Sequence, residues 1–220
     1  LSMDEDQELS AGMLNRGVSN AQKKVEERNF AMRKHLLEYD DVLNQQREII
    51  YDLRNKALLS DSIKDTINEF IEDFIFDIIG DLDFKQVKEW DWQSINQQIN
   101  SNLMVNIEVG EIKSLESLDK LIDYINEEAL KYYKLKEDVI PSELLRKVEK
   151  FIVLKTIDEK WRNHLLGMDQ LREGIGLRAY GQKNPLIEYK SESYNFFQEL
   201  MISLRSTVIQ RVFHAQVSDQ

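Results

Sequence analysis

Apolar side chains recur at helical spacing along nearly all of this chain, and the interruptions of that spacing divide it. One seam steps by seven from Val18 through Val25, Met32 and Tyr39 and, across the polar Gln46, to Leu53; a companion seam runs Leu36, Leu43, Ile50, Ala57. Residues spaced this way share one face of an α-helix, so the two seams predict a single long helix. Ser19 and Gln22 have the S-x-x-Q spacing of a capping box and predict the helix start, with residues 1 to about 17 as an acidic connector broken by Gly12 and Gly17. From Ser19 to Leu59 such a helix spans on the order of 60 Å. The polar Gln46 within the seam argues against a regular coiled-coil dimer.

The pattern changes after residue 60. Ile63, Ile67, Phe70, Ile71, Phe74, Ile75, Ile78 and Ile79 give a strongly apolar helical face that stops at Gly80. The following stretch mixes Trp90 and Trp92 with amide-rich turns and reads as short helices or loops. A helix from about Ser117 to Asp138 places Leu118, Leu121, Ile122, Ile125, Ala129 and Tyr132 on one face. Pro141, followed by Ser142 and Glu143, opens another helix with the stripe Val148, Phe151, Leu154, Ile157, Trp161, Leu165, Met168, Leu171, Ile175. Tyr189, Phe196, Leu200, Leu204 and Val208 form a returning stripe, so the last two helices pair as an antiparallel hairpin. The fold class is all-α, in three parts: residues 1–60, a connector and long helix; 61–140, a small helical subdomain; 141–220, a two-helix hairpin.

The turn of that hairpin is the most distinctive stretch. Gly174, Gly176, Gly181 and Pro185 fall together, out of only eight glycines and two prolines in 220 residues, so the chain must reverse there. Arg178 and Lys183 offer cations to acidic or carbonyl partners, and Tyr180 offers a broad apolar face with a polar end. An ordinary hairpin loop with no binding role is the plainer alternative.

Charge narrows the function classes. Residues 61–140 hold 19 acidic and 8 basic side chains, which carries the whole net charge of −11. That excess argues against extended nucleic-acid binding, because phosphate contacts need clustered Lys and Arg; an RNA or DNA clamp built on the basic tip is disfavoured for the same reason. There is no cysteine, hence no disulfide and no thiolate zinc site. No apolar run approaches a membrane span, and the acidic N-terminal residues are unlike a signal peptide. The sequence has no G-x-x-x-x-G-K-[ST] loop, G-x-S-x-G elbow or H-E-x-x-H helix. His35, His164 and His214 lack ligand spacing and read as surface or partly buried helix residues. The chain reads as an interaction or mechanical element with no catalytic residue, cofactor site or metal site of its own.

Two long runs carry a family resemblance. Ala21 to Asn55, AQKKVEERNFAMRKHLLEYDDVLNQQREIIYDLRN, and Lys155 to Lys190, KTIDEKWRNHLLGMDQLREGIGLRAYGQKNPLIEYK, with its W-x-x-H-L, M-D-x-L-R and L-R-x-Y-x-Q-x-N-P-L elements, resemble the SecA family of bacterial protein-export ATPases. The resemblance implies a long scaffold helix, a helical wing subdomain and an antiparallel two-helix finger; the wing is assigned by position alone. It implies a fragment whose parent binds ATP and Mg in two motor domains absent from this chain, moves preproteins through the SecY, SecE and SecG channel, can pair as a homodimer and works in the cytoplasm on the inner membrane. The finger's tip tyrosine matches Tyr180, with Arg178, Gln182 and Lys183 as neighbouring contacts. Many members carry histidine where this chain has Gly176, which leaves that position without the family's side chain. The alternative is a stand-alone helical coiled-coil module that binds a partner protein.

Overall fold

The computed structural model describes residues 11–80, 82, 90–107, 117–178 and 184–216. Among them are six helices and no strand: α1 (Ala11–Leu59), α2 (Lys64–Ile79), α3 (Trp92–Leu103), α4 (Leu118–Val139), α5 (Ser142–Arg178) and α6 (Pro185–His214). The all-α expectation holds. The chain divides into two compact units, Leu1–Gln45 and Gln46–Gln220.

In the first unit α1 begins at Ala11 and runs through Gly12 and Gly17, so the expected start at Ser19 is corrected. Each glycine costs about 1 kcal/mol against alanine in a helix. Extending an existing helix is far easier than nucleating one, and the long run that follows supplies the nucleus. Ser19 is therefore an interior helix residue. The predicted seam is exposed in this unit at Val18, Val25, Met32 and Leu36.

In the second unit the same seams are buried: Gln46, Ile50 and Ala57 are 6 %, 1 % and 2 % exposed. α2 buries seven of its side chains, six of them on the predicted face, among them Ile67, Ile71 and Ile75; the seventh is Thr66, and the predicted Ile78 is only half-buried. It packs on α4 and α6, and α3 packs on α2 and α6. The α4 face is Leu121, Ile125, Ala129 and Tyr133, a strict four-residue step that takes Tyr133 inward in place of Tyr132. Tyr132 instead stacks on Phe213, with centroids 5.8 Å apart.

The hairpin forms as predicted, α5 and α6 packing against each other, but two stripe positions are corrected. Phe151 and Phe196 are exposed, while Ile152, Val153 and Phe197 are buried. α5 is held between α6 and the second half of α1, so its buried arc is wider than one seven-residue stripe allows. That arc includes Glu149, Thr156 and His164. Three ties between α1 and α5 fall in reversed order, Gln46 with His164, Arg54 with Asp158 and Lys150 with the carbonyls of Leu58 and Ser60, so these two helices run antiparallel.

Candidate functional site

The candidate contact residues sit where α5 gives way to α6. Arg178 is the last residue of α5; Tyr180, Gln182 and Lys183 lie outside the described residues. α6 opens at Pro185 and is capped by Asn184, whose side-chain oxygen accepts from the Leu186 amide at 3.0 Å. A capping side chain and a proline fixed at helical φ are the local reasons that α6 starts there.

Side-chain bonds hold α5 and α6 to each other and to the remainder of the unit. Across the hairpin, Lys160 Nζ donates to Ser203 Oγ at 2.7 Å, and Arg211 donates to Thr156 Oγ1 at 3.0 Å and to Glu159 at 3.1 Å. At the far end of α6, Lys136 of α4 donates to the carbonyls of Val212, Phe213 and Ala215 at 2.6 to 2.8 Å. A cation against the free carbonyls of a helix C-terminus offsets both their missing partners and the helix dipole. Burial lowers the Lys136 pKa. Arg205 of α6 grips Asp77 of α2 with contacts of 2.7 and 2.9 Å.

Two polar clusters are buried. At the base of α5, Glu149 is fully enclosed; it accepts from the Tyr133 hydroxyl at 2.6 Å and from Arg146 at 2.8 Å, and Arg146 also pairs with Glu137, which Lys64 reaches at 2.7 Å. Burial pushes the Glu149 carboxyl above its usual range, against the pull of Tyr133 and Arg146. Burial opposes charge on Arg146 too, but Glu149 and the partners around it outweigh that, and its pKa rises. This network joins α2, α4 and α5.

The second cluster lies where α1, α5 and α6 meet. Gln46 Nε2 donates to the Ser193 carbonyl at 3.0 Å, and Gln46 Oε1 lies 2.8 Å from His164 Nε2. The carbonyl can only accept, so the amide nitrogen must face it; the amide oxygen then faces the ring, which must carry its proton on Nε2. His164 stacks on Trp161 at 5.3 Å and meets Phe197 edge-on at 5.9 Å. Burial drives its pKa down to about 4, so it is neutral at physiological pH. His164 was expected at the surface or only partly buried; it is 6 % exposed. His214 is exposed, with Nδ1 2.8 Å from the Gln210 carbonyl. The signal for this cluster was present in the sequence as a polar residue inside an apolar seam, but its partners lie 118 and 147 residues away.

Among the described residues no group of His, Cys, Asp or Glu is arranged to hold a metal ion, and no helix is long and apolar enough to cross a membrane. The arrangement is a braced hairpin.

Comparison with known proteins assigns the chain to a family. The family described as the SecA wing and scaffold domain matches residues 8–216. The chain is 38 % identical over 219 residues to the protein translocase subunit SecA of Heliobacterium modesticaldum, covering 99 % of this chain and 26 % of that protein. It is 39 % identical over 224 residues to its counterpart in Syntrophomonas wolfei, with 100 % and 27 % covered. For Thermodesulfovibrio yellowstonii the figures are 38 % over 221 residues, 100 % and 24 %. The chain thus spans about a quarter of the length of the curated relatives it matches.

Proposed function

Because this chain belongs to the SecA wing and scaffold family, we propose that it is the coupling element of a protein-translocating ATPase. In this reading the parent's motor domains bind ATP and Mg outside the chain, α1 is the scaffold that receives their motion, and the α5–α6 hairpin is the finger that meets the moving preprotein at the SecY, SecE and SecG channel. The three-part division into scaffold (1–60), wing (61–140) and finger (141–220) belongs to the same proposal. The observation that carries it is the full-length family match combined with a hairpin clamped on α1 by buried hydrogen bonds. Moved chains differ in sequence, so the tip must grip through an adaptable surface; an aromatic ring with a polar end, Tyr180, flanked by Arg178, Gln182 and Lys183, supplies one.

The parent would act in the cytoplasm, peripherally on the inner membrane. The exposed stripe Val18, Val25, Met32 and Leu36 is the surface on which motor domains of the parent would lie. The same stripe is the observation that favours the second reading, a stand-alone helical module pairing through α1. Sedimentation of the isolated chain separates the two, since pairing through α1 requires a concentration-dependent dimer.

The direct test is Tyr180→Ala in the full-length parent. ATP-driven transport of a preprotein into membrane vesicles is expected to fall by about tenfold or more, a loss of roughly 1.4 kcal/mol of productive interaction. Transport at the parental rate refutes the tip assignment.

A further inference from the structure

Where α1, α5 and α6 meet, Trp161 and Phe197 lie against His164, and the neighbouring turns bury the apolar side chains Ile50, Met168 and Leu200. Apolar contacts are non-directional, so by themselves they tolerate sliding of one helix along another. Gln46 adds direction. Its single amide makes one hydrogen bond to α5, through His164 Nε2, and one to α6, through the Ser193 carbonyl.

Each bond selects a register for a different reason. On α5 the donor is a side chain: a slip of one turn that brought Met168 to Gln46 would leave the amide oxygen facing a thioether with no proton to give, and the opposite slip would bring Lys160 there only by breaking its bond to Ser203 Oγ. On α6 the acceptor is a backbone carbonyl, which every turn offers. Access selects there: Ser193 is small and fully buried, whereas the residues one turn away on either side, Tyr189 and Phe197, are large and buried, and their side chains would keep the amide off the backbone. The Ser193 hydroxyl makes no hydrogen bond, so the position contributes its small size and its carbonyl. The paired aromatic rings hold the imidazole in place from the side, Trp161 by stacking and Phe197 by its edge.

Resting on the coupling function proposed above, we propose that Gln46 is a positioning residue: its amide fixes the axial register of both hairpin helices on the second half of α1, so that displacement of α1 reaches the tip and is not lost to slippage. Of the ties named between α1 and α5, the other two, Arg54 to Asp158 and Lys150 to the Leu58 and Ser60 carbonyls, lie further down the hairpin. Gln46 is therefore the one nearest the tip, with Arg178 about 21 Å further along α5 at ~1.5 Å per residue. Slippage at that point is carried to the tip undiminished.

The experiment uses the full-length parent and reads preprotein transported per ATP hydrolysed, beside the thermal unfolding midpoint. Gln46→Met with His164→Phe removes both polar partners and fills the junction with apolar groups of similar size, so no donor is stranded between them. The expected result is a near-parental midpoint with transport per ATP reduced roughly fivefold or more. Ser193→Ala retains the carbonyl and the small side chain, and is expected to transport as the parent does. A cross-linker joining Arg54→Cys to Asp158→Cys in the double variant re-imposes the register of α1 on α5 and is expected to recover transport. Should the double variant fail to fold, Gln46→Met alone, which leaves His164 stacked on Trp161, is expected to show the same fall. Parental transport per ATP in a folded Gln46 variant overturns the clamp. Tyr180→Ala in the same assay tells the two ideas apart: if that variant is defective while the Gln46 variants are normal, only the clamp fails; if it is normal while the Gln46 variants are defective, only the tip assignment fails; if all are normal, both fail.

Discussion

His164 is neutral in the folded chain because the protein around it excludes water. Its folded pKa of about 4 lies below the ordinary value of 6.5, so between these limits the unfolded chain binds a proton that the folded chain does not. Protonation then favours unfolding. The stability is fully present above pH 6.5 and is lost as pH falls, by about 3 kcal/mol at pH 4. Glu149 works in the opposite sense, since its raised pKa makes ionisation unfavourable in the fold as pH rises. Denaturant unfolding of the chain and of His164→Phe at neutral and acid pH isolates the imidazole: the acid-induced loss is expected to be smaller in the variant by that amount, and equal losses would contradict the burial argument. The sequence marked Gln46 as an interruption of an apolar seam and His164 as one of three scattered histidines. Neither signal linked the two residues, because a polar group inside a stripe reads alike whether it faces water or a partner.

Among the elements, starts were legible where a side chain performs the capping. Ser117 accepts from the Lys120 amide at the start of α4, and Asn184 with Pro185 opens α6. The S-x-x-Q spacing at Ser19 misled, since the same residues sit comfortably inside a helix that already continues. The returning stripe was displaced at one position, Phe197 for Phe196, because two adjacent phenylalanines both fit a seven-residue pattern and only the contact with α5 chooses between them. How the hairpin is braced on α2 was not legible at all. Arg205 and Asp77 lie 128 residues apart, with contacts of 2.7 and 2.9 Å and little exposure of either side chain. A bidentate, largely shielded pair contributes more than a surface pair. Arg205→Ala is expected to destabilise the chain by about 2 kcal/mol, seen as a lower denaturant midpoint with unchanged cooperativity. Arg205→Lys is expected to recover only part, since an ammonium cannot reproduce the two parallel bonds.

For the whole molecule, the relevant contrast is between the part played by this chain and the activity of its longer relatives. The chain carries no phosphate-binding loop of the G-x-x-x-x-G-K-[ST] kind, and on the proposed function it contributes mechanics to an ATPase located elsewhere in the parent. The isolated chain is expected to release no phosphate from ATP above a no-protein blank; turnover that follows the protein through purification would show a site of its own. The sequence by itself determined the all-α class, the long first helix, the hairpin and the family, because helical periodicity and runs of matching residues are local properties of the chain. The tertiary structure alone decided which polar side chains go inside and what they hold: Gln46 between His164 and Ser193, Glu149 between Tyr133 and Arg146, Lys136 over the end of α6. Burial of a polar group depends on two or three surfaces meeting with donor opposite acceptor, and residues more than a hundred positions apart come into that register only when the helices pack.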